Sequence, residues 1–552
     1  MAAVFDDFAG HASGGLLSRD RIVAGPRFNR WLAPPAALAI HLCIGMAYGF
    51  SVFWLPMTRL LANTNAAACS QQSMFGQMFT TTCNWSVPAV SLTFTLFIVM
   101  LGVSAALWGG WVEHAGPRKS GLIAALCWGG GMVVGGFGVA MHQLWLLWLG
   151  CGILGGVGQG LGYITPVSTL IKWFPDRRGM ATGFAIMGYG GGAMIGAPIA
   201  VALMQHFGGN GGAGVSTTLI AMGLLYVVVM AAGAFGFRVA PTGWKPEGWD
   251  APADRGTAMI TRQHTHLDKA WKTPQFWLIW AVLCLNVTAG IGVISMASPM
   301  LQDVFGAGLI GADPSATITP QEKAAIVAAA AGLVGLISLF NSVGRLFWAS
   351  VSDLIGRKNT YSTFFVLGIV LYCLMPTLGH IHAAGLFVIV VCAILTMYGG
   401  GFATVPAYLA DMFGTQMVGA IHGRLLTAWS VAGILGPVLI ANIRQAQIKA
   451  GVAHTLVYDR TLYILAAMLA VGFVCNLLVR PVAPRNHMTE QELARERGLQ
   501  LETGKSSAAD TGTATAARGS FGFVGVLAWL AVGVPFLVGV WIALTKAAAL
   551  FH

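Results

Sequence analysis

Asn341 to Thr360 reads NSVGRLFWASVSDLIGRKNT. An apolar segment containing one arginine, Arg345, runs into a charged turn of the form Asp-x-x-Gly-Arg-Lys, from Asp353 through Gly356 and Arg357 to Lys358. About 240 residues earlier stands a partner, Glu113-His114-Ala115-Gly116-Pro117-Arg118-Lys119. In both, an acid is followed three residues later by glycine and then by two basic residues, each time between two apolar segments. Recurrence at that distance predicts two homologous halves of about six spans each.

Composition identifies the solvent of this chain. Of 552 residues, 56% are hydrophobic and 9% charged, with a mean hydropathy of +0.71, against about 25% charged in soluble domains. An all-α polytopic protein of the lipid bilayer is expected, and its 73 glycines suit helices that pack backbone to backbone. Every backbone polar group in hydrocarbon must be satisfied within its own helix, so apolar runs of about 20 residues are read as spans. They fall near 33–57, 88–109, 120–140, 144–167, 179–205 and 217–238, then 275–300, 324–350, 359–379, 384–409, 418–441 and 459–480.

The formal charge of +11 would suit nucleic acid, but the basic residues are distributed as membrane topology requires. Arg118, Lys119, Lys172, Arg177, Arg178, Arg238, Lys245, Arg255, Arg262, Lys269, Lys272, Arg357, Lys358, Arg480 and Arg485 fall on one side, whereas the exterior loops carry only Arg59, Lys323, Arg444, Lys449 and Arg460. By the positive-inside rule both ends of the twelve-span body lie in the cytoplasm, here of a bacterial inner membrane, and no nucleic-acid partner is needed. The chain then divides into a cytoplasmic tail without a signal peptide (1–32), a six-helix half (33–239), a linker (240–274), a second half (275–480) and a polar tail (481–520). A further apolar run at 521–545 is long enough to cross as an additional helix. Thr489 and Glu492 have capping-box spacing, so a short surface helix is expected in the polar tail.

The chemistry-bearing residues are few. Arg345 lies eight residues from Asp353, about 12 Å farther into the membrane, where a cation faces the bundle interior or a watery cavity. Its planar guanidinium can grip a carboxylate through two parallel hydrogen bonds. Tyr48, Gln159, Tyr163, Tyr189, Asn341, Tyr398 and Trp429 are the other candidate cavity residues, with Ser51 and Thr427 beside them. The two turns, Glu113, Gly116 and Arg118 with Asp353, Gly356, Arg357 and Lys358, are expected to gate transport as charge networks. No acid falls in mid-span, which leaves His41 as the titratable candidate for proton coupling. Gly150 to Gly162 contains no phosphate-binding lysine and is read as close helix packing. No metal, cofactor or nucleophile constellation converges, so an enzyme is not expected. Cys69 and Cys83 share the first exterior loop as a candidate disulfide.

These features resemble the major facilitator superfamily over about residues 28–480, through both turns, and more narrowly its oxalate/formate antiporter family. The narrower resemblance rests on Asn29-Arg30-Trp31, on His41-Leu42-Cys43 with Tyr48 and Ser51-Val52-Phe53, on Trp173-Phe174-Pro175-Asp176-Arg177-Arg178-Gly179, and on Asn341-x-x-Gly344-Arg345. It implies two six-helix halves that rock around a central site. It also implies that an arginine in span 8 and a lysine in span 11 hold the two carboxylates of oxalate; the arginine maps to Arg345. The lysine position reads Thr427-Ala428-Trp429, which favours a small monocarboxylate such as formate, lactate or pyruvate over oxalate. Anion exchange is therefore expected; proton-coupled monocarboxylate symport, and a non-transporting receptor or structural subunit using the last helix, stay open.

Overall fold

A computed structural model describes residues 15–25, 28–61, 73, 75–208, 212–241, 244–249, 259–309, 319–497 and 522–547. Among them, thirteen helices are long and apolar enough to cross a membrane. In the first half these are Arg30–Met57 (α1), Val87–Ala115 (α2), Pro117–Ala140 (α3), Leu144–Trp173 (α4), Arg178–His206 (α5) and Gly214–Gly236 (α6). The second half contains Pro274–Gly306 (α7), Gly332–Ile355 (α8), Arg357–His380 (α9), Ala384–Phe413 (α10), Val418–Lys449 (α11) and Asp459–Leu478 (α12), and Gly522–Thr545 (α13) follows. The expected architecture of two six-helix halves with an extra helix is present.

Both organising turns have one backbone solution. Gly116 and Gly356 adopt φ of 82° and 84°, each ending one helix and starting the next. A side chain is strained in that region, whereas glycine enters it freely. The two turns lie at one end of the bundle, called here the charged face.

Some helices outrun the hydrocarbon. Residues 301–323 and 443–458 read as exterior loops, yet the helix of α7 continues to Leu309, that of α8 begins at Pro320, and α11 reaches Lys449. Two interactions account for the extensions. Thr319 and Glu322 form a capping box at the start of the α8 helix. Arg444 donates to Asp303 at 2.7 Å and 2.9 Å, and the Tyr458 hydroxyl donates to the same carboxylate at 2.7 Å, binding α7, α11 and the entry to α12 together.

Glycine sets the helix spacing. A β-carbon on Gly156 of α4 would lie 2.6 Å from the Met100 side chain of α2, so the glycine-rich run serves close packing. α13 lies across both halves: Phe536 packs over Gly191 of α5, Ala543 lies against Gly335 of α8, and Trp529 Nε1 donates to the Trp31 carbonyl at 3.2 Å. Of the expected Cys69–Cys83 pair, Cys69 lies outside the described residues; Cys83 is disulfide-bonded.

A polar layer covers the charged face. The Thr489–Glu492 capping box opens the short helix Glu490–Glu496, and Lys269 of the linker binds Glu492 at 3.0 Å. Met488 N donates to the His264 carbonyl at 2.7 Å. Burial, followed by the nearby Arg497 and Arg178, pushes the His264 imidazole down to about 4. The undocked linker binds a proton at the ordinary histidine value, about 6.5, which the docked one does not. Docking of the tail is thus at full strength above that value and weakens as pH falls toward about 4. Amide exchange across residues 484–497, corrected for intrinsic rates, is expected to be faster at pH 5 than at pH 7.5, and His264→Gln to flatten the difference.

Candidate functional site

Arg345 is fully buried near the middle of α8. Its Nε donates to Asn341 Oδ1 one turn away at 3.1 Å, and Nη1 reaches the Ile186 carbonyl of α5 at 3.5 Å. Glycines on α5 admit this crossing: a β-carbon on Gly183 would lie 3.0 Å from the Arg345 carbonyl, and one on Gly190 3.1 Å from its Nε. The guanidinium carbon sits 5.4 Å from the Tyr189 ring centre and 5.3 Å from that of Phe402. Such faces attract a cation but do not neutralise it. No carboxylate pairs with Arg345 among the described residues; its Nη2 meets no full hydrogen-bond geometry, and the Tyr48 and Tyr163 hydroxyls are side chains that interact with the guanidinium.

The surrounding wall is aromatic and comes from both halves. Trp429 of α11 stands against Tyr163 of α4, Tyr189 of α5 and Phe402 of α10, with ring centres 5.4, 5.3 and 4.6 Å away. Gln159 Nε2 donates to the Tyr189 hydroxyl at 2.9 Å and to the Ile44 carbonyl at 2.8 Å. The Tyr48 and Tyr398 hydroxyls meet at 2.9 Å, joining α1 to α10 across the seam. Within this chamber the Tyr163 hydroxyl and Trp429 Nε1 also lack a hydrogen bond of full geometry, as does one acceptor, Gln159 Oε1. With Arg345 Nη2 the first two make three donors short of a full hydrogen bond, and an anion is the complement of such a set.

The candidate cavity residues Arg345, Asn341, Tyr48, Gln159, Tyr163, Tyr189, Tyr398 and Trp429 therefore converge. Thr427 instead accepts a bond from Trp280 at 2.9 Å, and Ser51 is exposed. The His41 ring lies between the Ala185 and Tyr163 carbonyls, tying α1 to α5 and α4. Phe402 and His422 were not singled out from the sequence, because an apolar residue and a second histidine carry no local motif.

At the charged face each turn acid reaches across the seam. Asp353 accepts from the backbone N–H groups of Gly179 and Met180, both at 2.9 Å, in the first turn of α5. Glu113 accepts from Gly419 N at 2.7 Å, in the first turn of α11, and also binds Ser168 and Lys172. Carboxylates there complement the positive end of each helix dipole. Arg357 joins Asp353 to Asp411 at 2.6 and 3.0 Å, and Arg178 of the other half binds Asp411 at 2.9 Å. Arg118 and Lys358 serve their own halves, donating to the Phe235 carbonyl and to the Leu477 and Val479 carbonyls. The two halves are thus bonded to each other on this side.

A family model described as Major Facilitator Superfamily matches residues 37–437 and 329–551. The Oxalate:formate antiporter of Oxalobacter formigenes is 29% identical over 65% of this chain and 76% of its own. The Apicoplast pyruvate carrier 1 of Toxoplasma gondii is 22% identical over 87% and 95%. Among solved structures, the fucose:proton symporter FucP of E. coli superposes with a TM-score of 0.52 at 13% identity, over 82% of this chain and 100% of that one. The human organic anion transporter MFSD10 gives 0.53 at 11%, over 80% and 99%; at such identities the likeness concerns the fold.

Removing one partner from a buried ion pair costs about 3–5 kcal/mol. Asp411→Asn leaves Arg178 and Arg357 short of a carboxylate and is expected to open the charged face. A cysteine introduced at Thr182, whose hydroxyl now donates across the seam to the Ala403 carbonyl at 2.6 Å, is the reporter. Its labelling by a polar maleimide should accelerate at least tenfold in the Asn variant, and equal rates would show that the network does not hold the seam.

Proposed function

The chain belongs to the Major Facilitator Superfamily, as a transporter of the oxalate/formate antiporter type and not an enzyme, and on that premise we propose that it exchanges small organic carboxylate anions. The observation that supports this is the buried, uncompensated Arg345, whose Nη2 meets no full hydrogen-bond geometry, in one chamber with the Tyr163 hydroxyl and Trp429 Nε1, which meet none either. An uncompensated buried charge is costly, and a carboxylate offsets it while completing the bonds of these donors. One cation within a wall of aromatic rings suits one carboxylate on a small body. Formate, lactate and pyruvate fit that description; the relatives are named for oxalate and formate and for pyruvate.

Exchange follows from the same charge. A loaded chamber is close to neutral and lets the halves rock, whereas an empty one holds a bare cation through the occluded state. In this reading the charged face is cytoplasmic, the membrane is a bacterial inner membrane, and the Glu113 and Asp353 latches break as the chamber opens inward. The Tyr48–Tyr398 bridge closes the chamber toward the exterior.

Counterflow of labelled formate into formate-loaded proteoliposomes tests the proposal. Arg345→Gln removes the charge yet keeps a donor, and losing a buried charged partner costs about 2–5 kcal/mol, so the rate should fall at least about 30-fold. Parent exchange that is no faster than net efflux would count against the exchange mode; a variant as active as the parent would remove Arg345 from the site.

A further inference from the structure

α13 takes no part in holding the anion, yet it touches the bundle along one stripe. Gly525, Trp529, Val532, Phe536, Gly539 and Ala543, at steps of four and three residues, are its buried or half-buried positions. Its other faces are exposed, Leu527, Leu537 and Trp541 among them. The stripe follows the seam between α5 and α8, so α13 bears on two bodies that move relative to each other when the halves rock. A rigid helix cannot stay in register with both. One of its two contacts has to slip.

The two contacts are built differently. Toward the first half, Trp529 Nε1 donates to the Trp31 carbonyl at 3.2 Å, and its ring meets that of Phe184 edge-on with centres 5.8 Å apart. Phe536 fills the hollow at Gly191, where a β-carbon would come within 2.6 Å of the ring, and a β-carbon on Gly539 would lie 3.0 Å from Ile195 and 3.3 Å from Met194. A directional hydrogen bond and a ring seated in a glycine hollow fix one register. Toward α8 the contact is broader but smooth: Ala543 lies over Gly335 at 3.6–3.7 Å, ordinary van der Waals distance, with Leu339 packed beside it. Dispersion between small apolar groups changes little when one helix moves along the other.

The seam that α13 covers runs beside the charge. Gly190 and Gly191 are neighbours on α5: the first faces Arg345 Nε, and the second faces both Phe536 and Ser342 of α8. A cation at this depth draws water and headgroups into the bilayer wherever the protein leaves a path. We propose that α13 is keyed to the first half and slides along α8 as the halves rock, keeping the seam beside Arg345 covered throughout. This rests on the exchange reading of the two halves.

Two engineered disulfides test it in proteoliposomes of the full chain, read by formate self-exchange before oxidation, after oxidation and after reduction. Gly335→Cys with Ala543→Cys ties α13 to α8; the β-carbons stand 3.7 Å apart, inside the span of about 3.5–4.5 Å that a disulfide bridges. Gly539→Cys with Ile195→Cys ties it to α5, and the parent under the same oxidant controls for its own free thiols. Oxidation is expected to slow the α8 pair at least about tenfold, reversibly, and to leave the α5 pair within about twofold of its reduced rate, since only the first bond joins surfaces that move. An α8 pair that bridges fully and keeps exchanging overturns the proposal. So does an α5 pair that stops, or a failure of either pair to bridge. Should the reduced α8 pair be inactive, Leu339→Cys with Ala543→Cys repeats the measurement under the same criteria. A parent without formate exchange would instead overturn the carboxylate reading, which a parent that exchanges beside an unaffected α8 pair would leave standing.

Discussion

A guanidinium without a counter-ion, enclosed by aromatic rings, is the constraint on which the rest of this structure depends. Arg345 gives two of its three nitrogens to Asn341 and the Ile186 carbonyl, and its third meets no full hydrogen-bond geometry. Leaving that charge bare in a low-dielectric interior is expensive, and full neutralisation by a protein carboxylate would abolish the site. The Tyr189 and Phe402 rings offer an intermediate solution, attracting the cation without occupying its hydrogen bonds.

The same logic reaches the charged face by a different route. There the halves are joined by charge-assisted bonds to helix ends, Asp353 to the start of α5 and Glu113 to the start of α11. Both contacts use backbone N–H groups that a helix leaves unpaired at its first turn, so each can be broken and remade without rearranging a side-chain core. Arg178 and Arg357 on Asp411 add a pair of bonds whose partners come from opposite halves. Arg345 and the Asp353 contact lie on the same two seam helices, α5 and α8. α13 lies across this pair as well, touching Gly191 on one side and Gly335 on the other.

Much of this was legible in the chain. The two turns gave the repeat, because glycine at positive φ between an acid and two bases is a local requirement that shows in local sequence. Arg345 stood out because a lone cation in an apolar run has few explanations. Other participants were silent. Asp411 and Arg178 lie 233 positions apart and become partners only when the halves close. Phe402 is one apolar residue among many in α10, and the break in α11 at Leu426, which follows His422, has no proline to announce it.

Hydropathy, charge asymmetry and the repeated turn determined by themselves a twelve-span body in two halves with a further helix, because membrane insertion is decided span by span from composition and length. Tertiary structure alone decided which polar atoms are left short of full hydrogen bonds. Satisfaction of a hydrogen bond is a property of distance between residues far apart in the chain, so the shortfall at Arg345 Nη2, the Tyr163 hydroxyl, Trp429 Nε1 and the His422 ring appears only once the helices have packed.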